Sequence, residues 1–479
     1  MILVAVIIAI SIIGPAITLI PTTEWLESNI LPYVFTMAGF NPTVAKTGDD
    51  GEKAVADGTF IQWWLVVNWD DDRWSKEFAA LKEAGMHYIV LTPTAVFQED
   101  KNGGGGANMT IYPTSAPLFE TMKQPDGSAY PDAVDLCLRN ARKYGFKVFL
   151  GLNFSDQWWS SQYSKDWLVA RMNEGDALAA DLWNKYHEKY ANTFYGWYWC
   201  WEVNNSYIRN MNLMNSKESL ADALKIQTKF LDDSGMRLPI MFSPYMNRWL
   251  GTPQAYAEMW KYVFANSGLR SGDIFCPQDS VGAGGLDLSD LPEWFSELRK
   301  SVETLPGLQF WSDTETFDVA NWTAEPISRF IQQMQAVRPF VDNIVTFSYS
   351  HYYSPNIANK GFQRTYLDYV YAGMIDTIVP TIPVGLQVAP VTGCTASLTW
   401  KASTDNIGVC GYYVYRNGTM IANLQVPRSD TSGIRPETPT SMVDDQPSEK
   451  GKSYIYEVEA YDFAGNTSLP AGPVTITVR

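Results

Sequence analysis

From Phe60 onward, short apolar runs alternate with longer stretches whose apolar residues recur at helical spacing. That alternation is the signature of βα units feeding a parallel sheet. Eight runs read as strands, at 60–69, 87–95, 147–155, 196–203, 239–246, 273–279, 308–316 and 343–351. Helical patterns fill the intervals at 73–84, 132–144, 176–191, 216–234, 253–267, 290–304 and 324–337, and one more follows at 362–373. Gly85, Gly145 and Gly235 stand where helices commonly end on a left-handed residue. The count predicts an α/β chain whose residues 55–377 close into a (β/α)8 TIM barrel.

The pattern changes beyond the Pro-rich segment 377–385. Residues 383–479 read as five short alternating strands, LQVAPV, ASLTWKA, GYYVYRNG, YIYEVEAYD and VTITVR, which predict an all-β immunoglobulin-like sandwich. At the other end, residues 1–20 carry no charged side chain, and the first basic residue is Lys46. A helix of about 20 such residues can cross a bilayer. The segment lacks the basic start of a signal peptide. Residues 1–45 are therefore read as an apolar helix and linker, with three roles open: a membrane anchor, a signal peptide, or the core of a pilin-like filament. Gly103–Gly106, in the loop after the second strand, lacks the spacing of a phosphate loop and reads as a flap at the barrel mouth.

The formal net charge of −16 argues against nucleic acid, whose phosphates require Lys/Arg patches. Five cysteines without CxxC spacing and three histidines give no zinc pattern, so neither a metal nor a cofactor is expected. Cys394 and Cys410 lie in the C-terminal region, and strand register decides whether they can pair. Asp70-Asp71-Asp72 reads as a turn with an aspartate capping the helix from Arg73 rather than as a cation site. No GxSxG elbow is present, which excludes an α/β-hydrolase.

Two glutamates close apolar, aromatic-rich strands: Glu202 after the fourth and Glu315 at the end of the seventh. Catalytic groups of a barrel gather where its strands end, and a pair of carboxylates is what cleavage of a glycosidic bond requires. Side chains alternate faces along a strand. Tyr198, Cys200 and Glu202 therefore face the barrel axis while Trp197, Trp199 and Trp201 face the helices. In the seventh strand Trp311, Asp313 and Glu315 share a face. Glu202, set among aromatics, suits a protonated acid/base, and Glu315 suits the nucleophile. Asp279 in Pro277–Gly282 would bind a sugar hydroxyl, tune Glu315, or cap a turn. Asn153 and Asp156, followed by Trp158-Trp159, read as a subsite wall, or as a loop whose tryptophans tuck under a helix. Tyr352, next to His351, would offer an aromatic platform. His351 itself reads as a hydrogen-bonded structural histidine. The 14% aromatic share, with 18 Trp and 26 Tyr, suits stacking on sugar rings as well as core packing.

Three stretches resemble bacterial fibronectin type III domains: Ser397–Gly408, Gly411–Thr419 and Tyr456–Ser468. The resemblance covers 383–479 and implies a spacer without catalysis. An acid/base after strand four and a nucleophile after strand seven is the layout of a large clan of retaining barrel glycosidases. That clan has Asn-Glu at strand four, whereas this chain has Trp201-Glu202 with asparagines following at 204 and 205. The chain also resembles secreted glycosidase-like barrels of poorly defined activity, through Phe60-Ile-Gln-Trp-Trp64, Gly196-Trp-Tyr198 with Glu202, Pro277–Gly282 and Trp311–Phe317.

The resemblances imply a carbohydrate partner, an extracellular or cell-surface location, and retaining hydrolysis of a poly- or oligosaccharide. The alternative is a non-catalytic glycan-binding or structural subunit, joined to a membrane or to copies of itself through residues 1–20. N-glycosylation sequons fall at Asn153 and Asn204, beside the expected cleft. Expressed in a glycosylating host, the protein should yield peptides in which both asparagines are bare by mass spectrometry; glycan on either would contradict the cleft.

Overall fold

A computed structural model describes residues 53–99, 106–161, 165–208, 216–320, 322–391, 395–427, 438–445 and 451–477. The segment 1–20, its linker, the tip of the glycine-rich loop and Cys394 lie outside the described residues. Among the described residues no helix is long and apolar enough to cross a membrane. Cys410 is a buried free thiol.

Eight parallel strands close into a barrel: β1 Gly58–Gln62, β2 Tyr88–Thr92, β3 Lys147–Gly151, β4 Phe194–Trp199, β5 Ile240–Phe242, β6 Ile274–Phe275, β7 Gln309–Glu315 and β8 Asn343–Phe347. Neighbours in the ring are neighbours in the chain, and β1 meets β8 with Thr59 opposite Thr346. The period-two pattern divides each strand. Phe60, Val90, Phe149, Tyr198, Met241 and Val345 fill the barrel interior. Ile61, Leu91, Leu150, Trp197, Trp199 and Phe242 pack outward in the cluster formed with the helices.

Most strands stop short of their expected ends, β4 at Trp199, β5 at Phe242 and β6 at Phe275 among them, and three departures shape the mouth. β1 stops at Gln62, and Trp63–Val66 forms a short helix. An unbroken apolar run has no periodicity to separate strand from buried helix. Asp70 then caps helix Asp71–Glu83, accepting the Arg73 backbone N–H at 2.8 Å. β8 stops at Phe347, where Ser348 caps the short helix Tyr349–Tyr352. His351 Nε2 accepts the Gln62 backbone N–H at 3.2 Å and so ties this helix to β1. After β2 the chain builds a hairpin, Ala95–Glu99 against Gly106–Thr110, and its first strand pairs in parallel with Asn153–Phe154.

The C-terminal region forms a three-stranded and a four-stranded antiparallel sheet around Leu398, Trp400, Tyr412, Val414, Tyr456 and Val458. Two of its strands, Thr419–Gln425 and Ser441–Asp444, were absent from the sequence pattern. The first returns through the tight turn Asn417-Gly418, whose φ values of 52° and 76° suit a two-residue hairpin. This region grips the barrel. Gln425 donates to the Ala324 carbonyl at 2.6 Å and accepts the Ala324 N–H at 3.0 Å. The Phe463 carbonyl accepts the Ile327 N–H at 3.1 Å, and the Phe463 ring meets Phe362 edge-on at 4.9 Å.

Helix Lys165–Leu182 packs on Lys217–Asp233 with Asp176 buried between them, accepting from Gln227 Nε2 at 2.7 Å. Burial raises the Asp176 carboxyl to about 7. A raised carboxyl stabilises the fold while protonated, and that stability is lost as pH rises through 7. Asp176→Asn should therefore raise stability by about 4 kcal/mol at pH 8, a shift of about three units at ~1.4 kcal/mol each, and by less than about 2 kcal/mol at pH 5. Urea unfolding at the two pH values checks this; an equal effect at both would contradict it.

Candidate active site

Four carboxylates converge at the C-terminal ends of β4, β6 and β7. Glu202 lies three residues beyond β4. Its carbonyl accepts the Trp158 indole N–H at 2.8 Å, and its Oε1 accepts from Gln278 Nε2 at 3.0 Å. Gln278 also reaches the Ser243 carbonyl at 3.3 Å, so one amide side chain joins the ends of β4, β5 and β6. Burial raises the Glu202 carboxyl, opposed by the Gln278 bond.

Asp313 and Glu315 share the inner face of β7. Asp313 Oδ2 accepts the Ser243 hydroxyl at 3.0 Å, and burial holds its carboxyl well above the usual range. Glu315 is 2% exposed, and its Oε2 accepts the Ala283 N–H at 2.7 Å. Burial first, and then the adjacent Asp279, raise it strongly. The loop that supplies the Ala283 amide approaches so closely that a Cβ at Gly282 would lie 2.3 Å from the Phe317 carbonyl and 3.0 Å from Glu315 Oε2. Only glycine permits that approach.

Asp279 is fully buried. Its Oδ2 accepts from Gln333 Nε2 at 2.6 Å, and Oδ1 accepts the Val281 N–H at 3.2 Å and the Glu315 N–H at 3.4 Å. Burial raises it to about 6 against the pull of Gln333. Gln333 also donates to the Glu315 carbonyl at 3.0 Å and accepts from Arg329 Nε at 3.0 Å. Arg329 further donates to the Phe317 carbonyl and pairs with Glu325 at 3.1 Å. The guanidinium thus steadies the acids through one neutral amide.

Tyr245, just beyond β5, has its phenol pushed up to about 12 by burial and then by the charges of Glu315 and Glu202. Both glutamates therefore act on one hydroxyl group. Such a set can hold, donate and accept protons within a small space.

The candidates named from sequence fall into two groups. Glu202, Asp279, Asp313 and Glu315 come together, and Tyr198 lies beneath them in the barrel, its phenol raised by burial and by charges that include Asp313 and Glu202. Trp311 does not join them. It shares the face of Glu315 but sits four residues earlier, roughly 13 Å along the strand. There its ring meets Tyr88 at 5.0 Å and Phe149 at 6.2 Å, as packing in the barrel interior. Asn153 is also displaced: it is buried and donates to the Arg171 carbonyl at 3.0 Å, toward helix Lys165–Leu182. β3 ends at Gly151, so Asn153 stands beyond the barrel strand and its alternation of faces. Tyr352 is buried and stacks behind Phe317 at 5.6 Å. Trp158 is buried, whereas Trp159 is exposed.

Ser243, Tyr245, Gln278 and Gln333 were not among the candidates. Ser243 and Tyr245 were legible as alternate residues continuing from Met241. Gln333 was marked by its place on the apolar face of helix Ile327–Val337, three residues from Phe330 and four from Val337. Among the described residues one acidic group has ligand-like spacing: Asp376, Asp405 and Asp462 bring carboxylate oxygens within 4.8 Å of one another. Backbone amides occupy much of it. Asp462 Oδ1 accepts the N–H groups of Ala464, Gly465 and Asn466 at 2.8, 2.7 and 2.9 Å, as in a capped turn.

The family model described as "Domain of unknown function (DUF4434)" matches residues 56–359. A stretch of 104 residues is 36% identical to Exoglucanase B of Cellulomonas fimi, spanning 22% of this chain and 8% of that protein. A stretch of 102 residues is 39% identical to Chitinase D of Niallia circulans, spanning 21% of this chain and 17% of that protein. Among solved structures, a candidate alpha-L-fucosidase from Bacteroides thetaiotaomicron VPI-5482 aligns with TM-score 0.53 and 20% identity over 70% of this chain and 98% of that one. What is shared at that identity is the TIM-barrel fold.

Gln333→Met removes the donor to Asp279 and leaves a buried carboxylate short of a partner. The expected loss is about 3 kcal/mol at pH 8 and less at pH 5, because Asp279 titrates from a raised value of about 6 and is largely protonated below it. Denaturant titrations at both pH values would show a pH-independent loss if Gln333 served packing alone.

Proposed function

The chain belongs to the DUF4434 family, and from that premise we propose that it is a retaining glycoside hydrolase acting on an extracellular poly- or oligosaccharide. Glu202 is the acid/base and Glu315 the nucleophile. The observation that carries the reading is that two adjacent residues after β6 bond both glutamates: Gln278 Nε2 donates to Glu202 Oε1 at 3.0 Å, and Asp279 Oδ1 accepts the Glu315 N–H at 3.4 Å. Two carboxyl groups flanking one space are what double displacement needs.

In the first step the protonated Glu202 gives its proton to the glycosidic oxygen while a Glu315 carboxylate oxygen bonds to the anomeric carbon, and the sugar alcohol departs. In the second step Glu202 takes a proton from water, the hydroxide displaces Glu315, and the sugar leaves with its original configuration. Burial favours the protonated Glu202 that the first step requires. The Ala283 amide gives Glu315 a donor that favours its ionised form. Asp313 and Asp279 assist by holding protons and polar contacts around the pair.

One observation favours a second reading. Glu315 is raised strongly by burial and by Asp279, which suits a neutral group in a glycan-binding barrel without turnover. In either case the C-terminal sheets, residues 383–479, are a fibronectin type III module following a barrel at 55–377. Residues 1–45 supply a surface anchor or an assembly helix.

Glu202→Gln and Glu315→Gln should each lower kcat/KM on a cleavable glycan by at least about 1,000-fold, with circular dichroism and Tm preserved. NMR of the first-formed sugar should show retained anomeric configuration. Full activity in either variant, or an inverted product, would refute the assignment.

A further inference from the structure

Two residues after Glu315 the chain forms a small hairpin, Phe317–Asp318 against Thr323–Ala324. Its tip carries Trp322, which is 60% exposed and has φ of 51°. A bulky side chain at positive φ is a backbone outlier held in place by its surroundings, and such strain gathers at functional sites. The surroundings here are specific. The indole stacks on Phe317 at 5.3 Å and 7°, and Phe317 stacks on Tyr352 at 5.6 Å and 20°. At the other arm of the hairpin, Gln425 bonds both backbone groups of Ala324.

The rings continue across the mouth. Phe317 meets Phe347 at 5.8 Å, Phe347 stacks on His351 at 5.7 Å, and His351 meets Trp64 at 5.1 Å. Trp64 is 48% exposed and its indole N–H is held by Gln62 Oε1 at 2.9 Å. A chain of aromatic contacts thus runs over the ends of β7, β8 and β1, with an exposed indole at each end.

We propose that Trp322 is a sugar-stacking subsite beside Glu315, with Trp64 a second contact further along the same arc, so that the protein binds an oligosaccharide through the C–H faces of successive pyranose rings. This rests on the reading of Glu202 and Glu315 as glycosidase acids, which fixes where the sugar lies. A rigid, backed ring gives up little conformational freedom on binding, which accounts for spending backbone strain to hold it.

The test uses the Glu315→Gln protein, which binds without turnover, titrated calorimetrically with hexasaccharides of β-1,4-linked glucose, mannose and N-acetylglucosamine. Trp322→Gly suits the positive φ. In that background it should leave Tm unchanged or higher while lowering affinity for the bound hexasaccharide at least tenfold. Trp322→Phe should keep most of the affinity, and Leu469→Ala, on the C-terminal sheets, should keep all of it. Unchanged affinity in Trp322→Gly, no binding of any hexasaccharide, or a lower Tm in Trp322→Gly would overturn the subsite. Ring-dependent binding together with absent turnover in the unmodified protein supports the subsite and retires the hydrolase reading alone.

Discussion

Gathering three buried carboxylates, Asp279, Asp313 and Glu315, and the half-buried Glu202 in one small volume is the constraint around which the barrel mouth is arranged. A charge removed from water is costly unless a proton, a donor or an opposite charge compensates it. Here the compensation is mostly neutral. Gln278 serves Glu202, Ser243 serves Asp313, Gln333 serves Asp279, and the Ala283 amide serves Glu315. The cation, Arg329, is kept one residue removed, behind Gln333. A salt bridge directly to Glu315 would have fixed it as an anion. An amide relay leaves the acids raised above their ordinary values by burial.

The same constraint explains details that look unrelated. Gly282 exists because an amide must reach Glu315 and no Cβ fits between. Gln333 lies on an otherwise apolar helix face because Asp279 and the Glu315 carbonyl both need a donor from that side. Trp158 is buried with its indole N–H on the Glu202 carbonyl, so the segment after β4 is held although it has left the sheet.

The barrel was legible because the period-two pattern is a direct physical consequence of a strand with two different faces. The division between Trp197 and Trp199 outside and Tyr198 inside follows from it. Depth was not legible. Parity says which face a residue occupies but not how far along the axis it sits, so Trp311 shares a face with Glu315 without sharing its surroundings. Strand ends were also hidden, since the apolar run after Gln62 is as compatible with helix as with strand. The direction of Asn153 was out of reach of parity, because the strand breaks between Gly151 and Asn153. Long-range partnerships were hidden as well: an amide on an apolar helix face marks Gln333 but does not name Asp279, and Gln425 reaches Ala324 across a separation that the fold alone closes.

Gln425 carries a consequence for how the molecule is divided. Its amide closes both hydrogen bonds of Ala324, as an added strand would, on the hairpin that directly follows Glu315. The C-terminal sheets are therefore a buttress, not baggage. A borrowed module lacking an amide at this point would leave both backbone groups of Ala324 without these bonds, with the hairpin held from the barrel side, by Arg329 and the Phe317 stack. A change at either face of this joint, at Gln425 or along the Thr323–Ala324 arm, therefore bears directly on the segment that follows Glu315.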